Sequence, residues 1–196
     1  TNIMNDTTEN TENSGASAKS AFGDRGTNVN AINYGHPYSE QILNQAFEII
    51  KESTTGFHLT KIHTTHNIPI HVMKGNGASG FNPQTGIIYL QVPGKIDKAK
   101  PEIVLELIKG LREADQHLCG NIAPDPTKDI VKYAAIMHAK ALDSVVHICK
   151  VLKELTNSSF YSVLLDGMEQ LGHSNVYRAY LDNASDQELY DVYAGK

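Results

Sequence analysis

The chain of 196 residues is long enough for one compact domain, and its 40% hydrophobic and 20% charged residues are those of a globular chain with polar extensions. A formal net charge of -5 at pH 7 argues against a nucleic-acid partner, which needs a basic face to offset phosphate charge. No run of about 18 apolar residues offers a membrane-spanning helix, and no basic segment followed by an apolar one marks a secretory signal. Cys119 and Cys149, the two cysteines, form no C-x-x-C pair and are too few for a disulfide framework. Reduced thiols in a cytoplasmic setting are expected.

Asn, Thr, Ser, Gly, Ala and Glu dominate from Thr1 to Gly35. Such a stretch cannot bury enough apolar surface to offset the entropy of ordering it, so residues 1–35 are expected to form a disordered arm and residues 36–196 a single α+β domain. Ile42, Leu43, Ala46, Phe47 and Ile50 recur at three- and four-residue spacing. They predict a helix from Ser39 to Ser53, capped by Ser39 and ended by Gly56. Three strands follow in expectation, Phe57–Ile62, Ile68–Met73 and Ile87–Val92, paired as a small antiparallel sheet. Pro69 places the second strand at an edge or at its own start, and the turn Asn82–Gly86 leads into the third.

After Pro101 the period becomes helical. Ile103, Val104, Leu107, Ile108, Leu111, Ala114 and Leu118 predict a helix from Glu102 to Leu118, closed by Gly120. Beyond a loop at 121–127, a long helix is expected over 128–155, with Ile130, Ala134, Met137, Ala141, Val145, Ile148 and Leu152 as its apolar arc. Shorter helices around Phe160–Leu171, Asn175–Asp182 and Ser185–Tyr193 complete the mostly helical C-terminal half. Residues 156–196 carry six acidic and two basic side chains, which reads as a solvated helical face.

Gly75-Asn76-Gly77-Ala78-Ser79-Gly80 matches G-x-G-x-x-G after a strand. The dinucleotide fingerprint requires a helix to open at its third glycine, however, and here a turn and another strand follow. His58, His63, His66 and His71 lack the spacing of metal ligands and are expected to be exposed. Asp143 and His147 fall opposite the apolar arc of the long helix, as a solvent-facing pair. His138 projects from that arc and needs a partner for its nitrogens. Glu106, Lys109, Glu113 and His117 form a polar strip on the preceding helix, with Gly110 leaving a gap among them. Asp115 points into the apolar arc of that helix, where a carboxylate needs a donor. Neither cysteine has a base placed to make it a nucleophile.

A helix, the strand Ile68–Met73, the Gly-rich loop, the Phe81-Asn82-Pro83 turn into Ile87-Ile88-Tyr89-Leu90, an amphipathic helix and a long second helix follow in turn. That order resembles the minimal zincin metallopeptidase core. More narrowly, from about Tyr38 to Tyr193 the chain is similar to uncharacterised bacterial metallopeptidase-like domains. In those, H-E-x-x-H is followed closely by Gln, and a later helix carries an E-A-D-A-like stretch. In such enzymes two histidines one turn apart bind zinc, and the intervening Glu is the general base on the metal-bound water. The matching positions here are Lys109, Gly110 and Glu113, followed by Asp115-Gln116, while His138-Ala139-Lys140-Ala141 matches the later stretch.

One ligand position thus carries a cation and the base position has no side chain. The resemblance implies a degenerate site built from Lys109, Gly110, Glu113, His117 and His138. It further implies a domain without a cofactor that has lost zinc-dependent catalysis and binds a peptide or protein, by strand addition beside an edge strand. The Lys109 ammonium is expected near the place of the zinc, paired with Glu113. An alternative is a metal-dependent hydrolase whose Glu113, His117 and His138 hold zinc or another divalent ion. A third is a purely structural role, with the arm and the acidic C-terminal helices making the contacts.

Overall fold

A computed structural model describes residues 31–33, 39–94, 100–120 and 130–195. It is an α+β fold, with seven helices and four strands among the described residues. In chain order these are β1 (Ala31–Asn33), α1 (Ser39–Lys51), α2 (Thr54–His66), β2 (Ile70–Lys74), β3 (Gly80–Asn82), β4 (Ile87–Val92), α3 (Lys100–Leu118), α4 (Ile130–Glu154), α5 (Tyr161–Gln170), α6 (Ser174–Leu181) and α7 (Asp186–Ala194). Of the expected arm, residues 1–30 and 34–35 lie outside the described residues. Residues 31–33 do not belong to an arm: they pair in parallel with Ile70–Val72.

The sheet order is β1-β2-β4-β3, and it is mixed rather than antiparallel. β2 runs parallel to both β1 and β4, and only β3 is antiparallel to its neighbour β4. The parallel pair forces a crossover between β2 and β4, and β3 lies within that connection as a three-residue edge strand. Pro69 precedes the first residue of β2, where its missing N–H costs nothing, and its carbonyl accepts the Ile88 N–H at 3.0 Å.

The expected strand Phe57–Ile62 is helical. Ser53 caps α2 by accepting the Gly56 N–H at 3.0 Å, and Gly56, Leu59, Thr60 and His63 turn one face inward. Gly56 does not end α1 but lies in the first turn of α2, where an added Cβ would fall 2.2 Å from the Ile50 carbonyl oxygen. A third reinforcement comes from the far end of α4. Glu154 accepts the Thr55 N–H at 2.8 Å, the Thr55 hydroxyl at 2.6 Å and the Ser53 hydroxyl at 3.0 Å. These bonds hold its carboxyl below the usual glutamate range, although burial acts in the opposite direction and is the largest single influence.

α3 is the central element, packed against α1, α2, β3, β4, α4 and α5. Its Ile103, Val104, Leu107, Ile108, Leu111 and Ala114 are buried with Ile70, Val72, Ile88 and Leu90 of the sheet and Leu43, Phe47 and Ile50 of α1. Gly110 permits the close approach: a Cβ there would meet Ile88 Cγ2 at 2.8 Å.

α4 packs only through its second half. Ser144, Val145, Ile148, Cys149, Val151 and Leu152 are buried, whereas Ile130 and Val131 are 71% and 77% exposed and Met137 is also exposed. Its first turns therefore overhang the body, and the expected arc through Ile130, Ala134 and Met137 is not a core face. No described helix is long and apolar enough to cross a membrane.

Candidate functional site

The polar strip of α3 forms as its spacing requires, since residues three and four apart share a helix face. Lys109 Nζ stands 3.9 Å from Glu106 Oε2 and 3.5 Å from Glu113 Oε1, and donates to the Ser79 carbonyl at 3.0 Å. Burial pushes the Glu106 carboxyl up; Lys109 opposes the shift and Glu113 adds to it. Burial likewise raises Glu113 above the usual glutamate range, against the pull of Lys109 and of the Phe81 backbone N–H. Glu113 Oε1 is sealed from solvent without a hydrogen-bond partner. One ammonium is thus shared between two largely buried carboxylates and a carbonyl, and it does not fully compensate either acid.

The strip also covers the edge of the sheet. Ile88 sends its N–H toward β2, so the Phe81–Ile88 pair is a non-hydrogen-bonded one and the Phe81 N–H points away from β4. It faces Glu113, while the neighbouring Ser79 carbonyl is held by Lys109. The Phe81 N–H and the Ser79 carbonyl of this edge are therefore both engaged by α3, a common protection of edge strands.

The glycines of the G-x-G-x-x-G loop serve the same construction. A Cβ at Gly75 would strike Gln91 Oε1 at 2.6 Å and one at Gly77 would press on Gln91 Nε2 at 3.2 Å, so the loop lies over the Gln91 side chain. Gly80 adopts φ +151, and a Cβ there would meet both Glu113 oxygens at 3.1 Å. No helix follows to receive a pyrophosphate.

Three cavities meet at Lys109. The first, of about 680 Å³, lies between the Gly75–Ser79 loop, the end of β4 and the Glu102, Ile103, Glu106 and Lys109 side of α3, with Leu171 at its far wall. The second, of about 390 Å³, is bounded by Phe81, Pro83, Glu113, His117, Met137 and Ala141 between α3 and α4.

Of the expected cluster, Lys109 and Glu113 come together, and His117 sits one turn on, exposed at the rim with its ring 5.5 Å from that of Phe81. Gly110 faces the sheet, not the groove, so a carboxylate at that position would be driven into Ile88. His138 is exposed on the overhanging part of α4 and lines none of the three cavities. Among the described residues no three His, Cys, Asp or Glu side chains gather to hold a metal ion. The set Glu113, His117 and His138 is not such a group, and these three residues do not make a zinc site.

The polar network that sequence reasoning missed lies on the adjacent face of α3. Asp143 and His147 are only partly exposed, because the α4 face that carries them turns toward α3. Asp143 Oδ2 accepts Arg112 Nε at 2.7 Å and Gln116 Nε2 at 2.7 Å, and Arg112 also donates to Asp115 at 2.5 Å. Asp115 thus has its donor. Burial acts to raise the Asp143 carboxyl, but the Arg112 and Gln116 hydrogen bonds prevail and hold it below the ordinary aspartate range. His147 donates to the Asp143 carbonyl at 2.9 Å, and burial lowers its pKa. Asp115 also raises the exposed Cys119 thiol, which leaves it a poor nucleophile.

His63 and His71, expected on the surface, are buried. His63 donates from Nδ1 to the Ile68 carbonyl at 2.8 Å and stacks on Phe47. Its Nε2 is sealed without a partner, and burial lowers its pKa to about 4. The hint in sequence was its place four residues from Leu59 and seven from Gly56, once that segment is read as helix.

No family model matches the chain, and no curated protein and no solved structure matches it either.

Proposed function

We propose that this is a metallopeptidase-like domain that works without a metal, as a binding module for an extended polypeptide segment lying along α3. The observation that carries the proposal is the Lys109 ammonium, set among Glu106, Glu113 and the Ser79 carbonyl where three cavities converge under an antiparallel edge strand. By the resemblance this would be the zinc position: Lys109 then stands at one ligand position, and Gly110 supplies no general base. Because α3 already engages the Phe81 N–H and the Ser79 carbonyl, the segment is held chiefly by its side chains, in the cavities beside Lys109.

The test is an amide-resolved NMR titration with a pool of blocked, extended pentapeptides. Shifts confined to Gly75–Phe81, Gln91 and the Glu102–Glu113 stretch are expected. No shift at these positions at millimolar peptide would contradict the proposal.

A further inference from the structure

Resting on that reading, we infer that the cavity between the Gly75–Ser79 loop and α3 selects a positively charged side chain of the bound segment, with a guanidinium as the best fit. Glu102 and Glu106 stand on successive turns of α3, on one wall. Leu90, Pro93, Ala78 and Leu171 add apolar lining that suits the methylene stem of an Arg or Lys. The only cation among the described wall residues is Lys109, and it is committed elsewhere: its shortest contact is the Ser79 carbonyl, and Glu113 lies nearer to it than Glu106 does. Glu106 is left mostly buried, with that ammonium 3.9 Å away as its ion-pair partner among the described residues.

Charge complementarity therefore sets the occupant. Among the described residues of this wall two carboxylates face one committed ammonium, so a cationic guest offsets the imbalance and an anionic guest adds to it. A guanidinium brings both charge and planar paired donors to a carboxylate that is already largely desolvated. The volume of about 680 Å³ exceeds one side chain, so neighbouring backbone of the segment enters with it.

The test compares blocked pentapeptides identical except for a central arginine, citrulline or norleucine. Citrulline keeps the shape of arginine and removes its charge. Binding of the arginine peptide at least tenfold tighter than the citrulline peptide, with that ratio collapsing in Glu106→Gln, is the expected result. Two peptides within twofold of each other would overturn the charge selection while leaving the binding module standing. A preference that persists undiminished in a folded Glu106→Gln variant would overturn its assignment to this cavity. Failure of every peptide to bind would remove the module itself.

Discussion

Two charged regions share α3, one turn of helix apart, and are built in opposite ways. On the α4 side, Asp143 is met by two hydrogen bonds of 2.7 Å, from Arg112 and Gln116, and Asp115 by one of 2.5 Å. On the β3 side, Glu106 and Glu113 share a single ammonium at 3.9 and 3.5 Å, and the buried Glu113 Oε1 has that ion pair but no well-formed hydrogen bond. The carboxyl of Asp143 is accordingly pulled down and those of Glu106 and Glu113 are pushed up. Matched charge ties two helices together. Under-matched charge beside open cavities is what a ligand would complete, which is why the groove and not the network is assigned the function.

The contrast can be broken from the backbone upward. Gly110→Glu should have the largest effect, about 4 kcal/mol of stability in denaturant unfolding, because it drives a carboxylate into the Ile88 contact. A well-folded variant that takes up zinc would instead restore the peptidase alignment. The core should be acid-sensitive independently of both regions. His63 has a folded pKa of about 4, below its unfolded value of 6.5, so the unfolded state binds its proton first. Its contribution is complete above pH 6.5 and declines by about 3 kcal/mol as pH falls to about 4. A His63→Gln variant with an unchanged slope in this window would contradict that assignment.

Smaller changes sharpen the comparison itself. Arg112→Ala should cost about 2 kcal/mol at pH 7, discounted for the partial exposure of the pair. The loss should shrink in acid, because a carboxyl with a depressed folded pKa stabilises only above its unfolded value and ceases to do so as it protonates. Glu113→Gln should show the reverse sign. A raised folded pKa means that the ionised form is the strained one at pH 7, so the variant should melt at or slightly above the wild-type temperature. A marked fall in melting temperature would mean that Glu113 is a structural ion-pair partner.

Much of this frame is readable in the residues. The spacing of Ile103, Val104, Leu107, Ile108 and Leu111 specifies the inner face of α3, and the same period places Lys109 beside Glu113. The β-branched residues and Tyr89 of Ile87–Val92, bounded by turns, mark β4. The α2 segment misleads because Phe57, His58, Leu59 and Thr60 alternate apolar and polar like a strand, while the signal that wins is the Ser53 cap. β3 has only three residues inside a Gly-rich turn, too few for any period to register.

The phase of α4 fails for a different reason: the expected arc requires the whole helix to be buried. Only the second half packs, with the buried side shifted toward Ser144 and Val151. The unpacked first half leaves His138 exposed, and the shift brings Asp143 to Arg112, 31 positions away, a distance over which a single sequence carries no pairing signal.

Carboxyl-resolved NMR titration of the folded protein reads the contrast most directly. Glu106 and Glu113 should titrate above an ordinary glutamate, and Asp143 below an ordinary aspartate. Finding Glu106 and Glu113 at or below the ordinary value would mean that Lys109 already satisfies them, and the groove would then hold no unmet charge for a guest to complete.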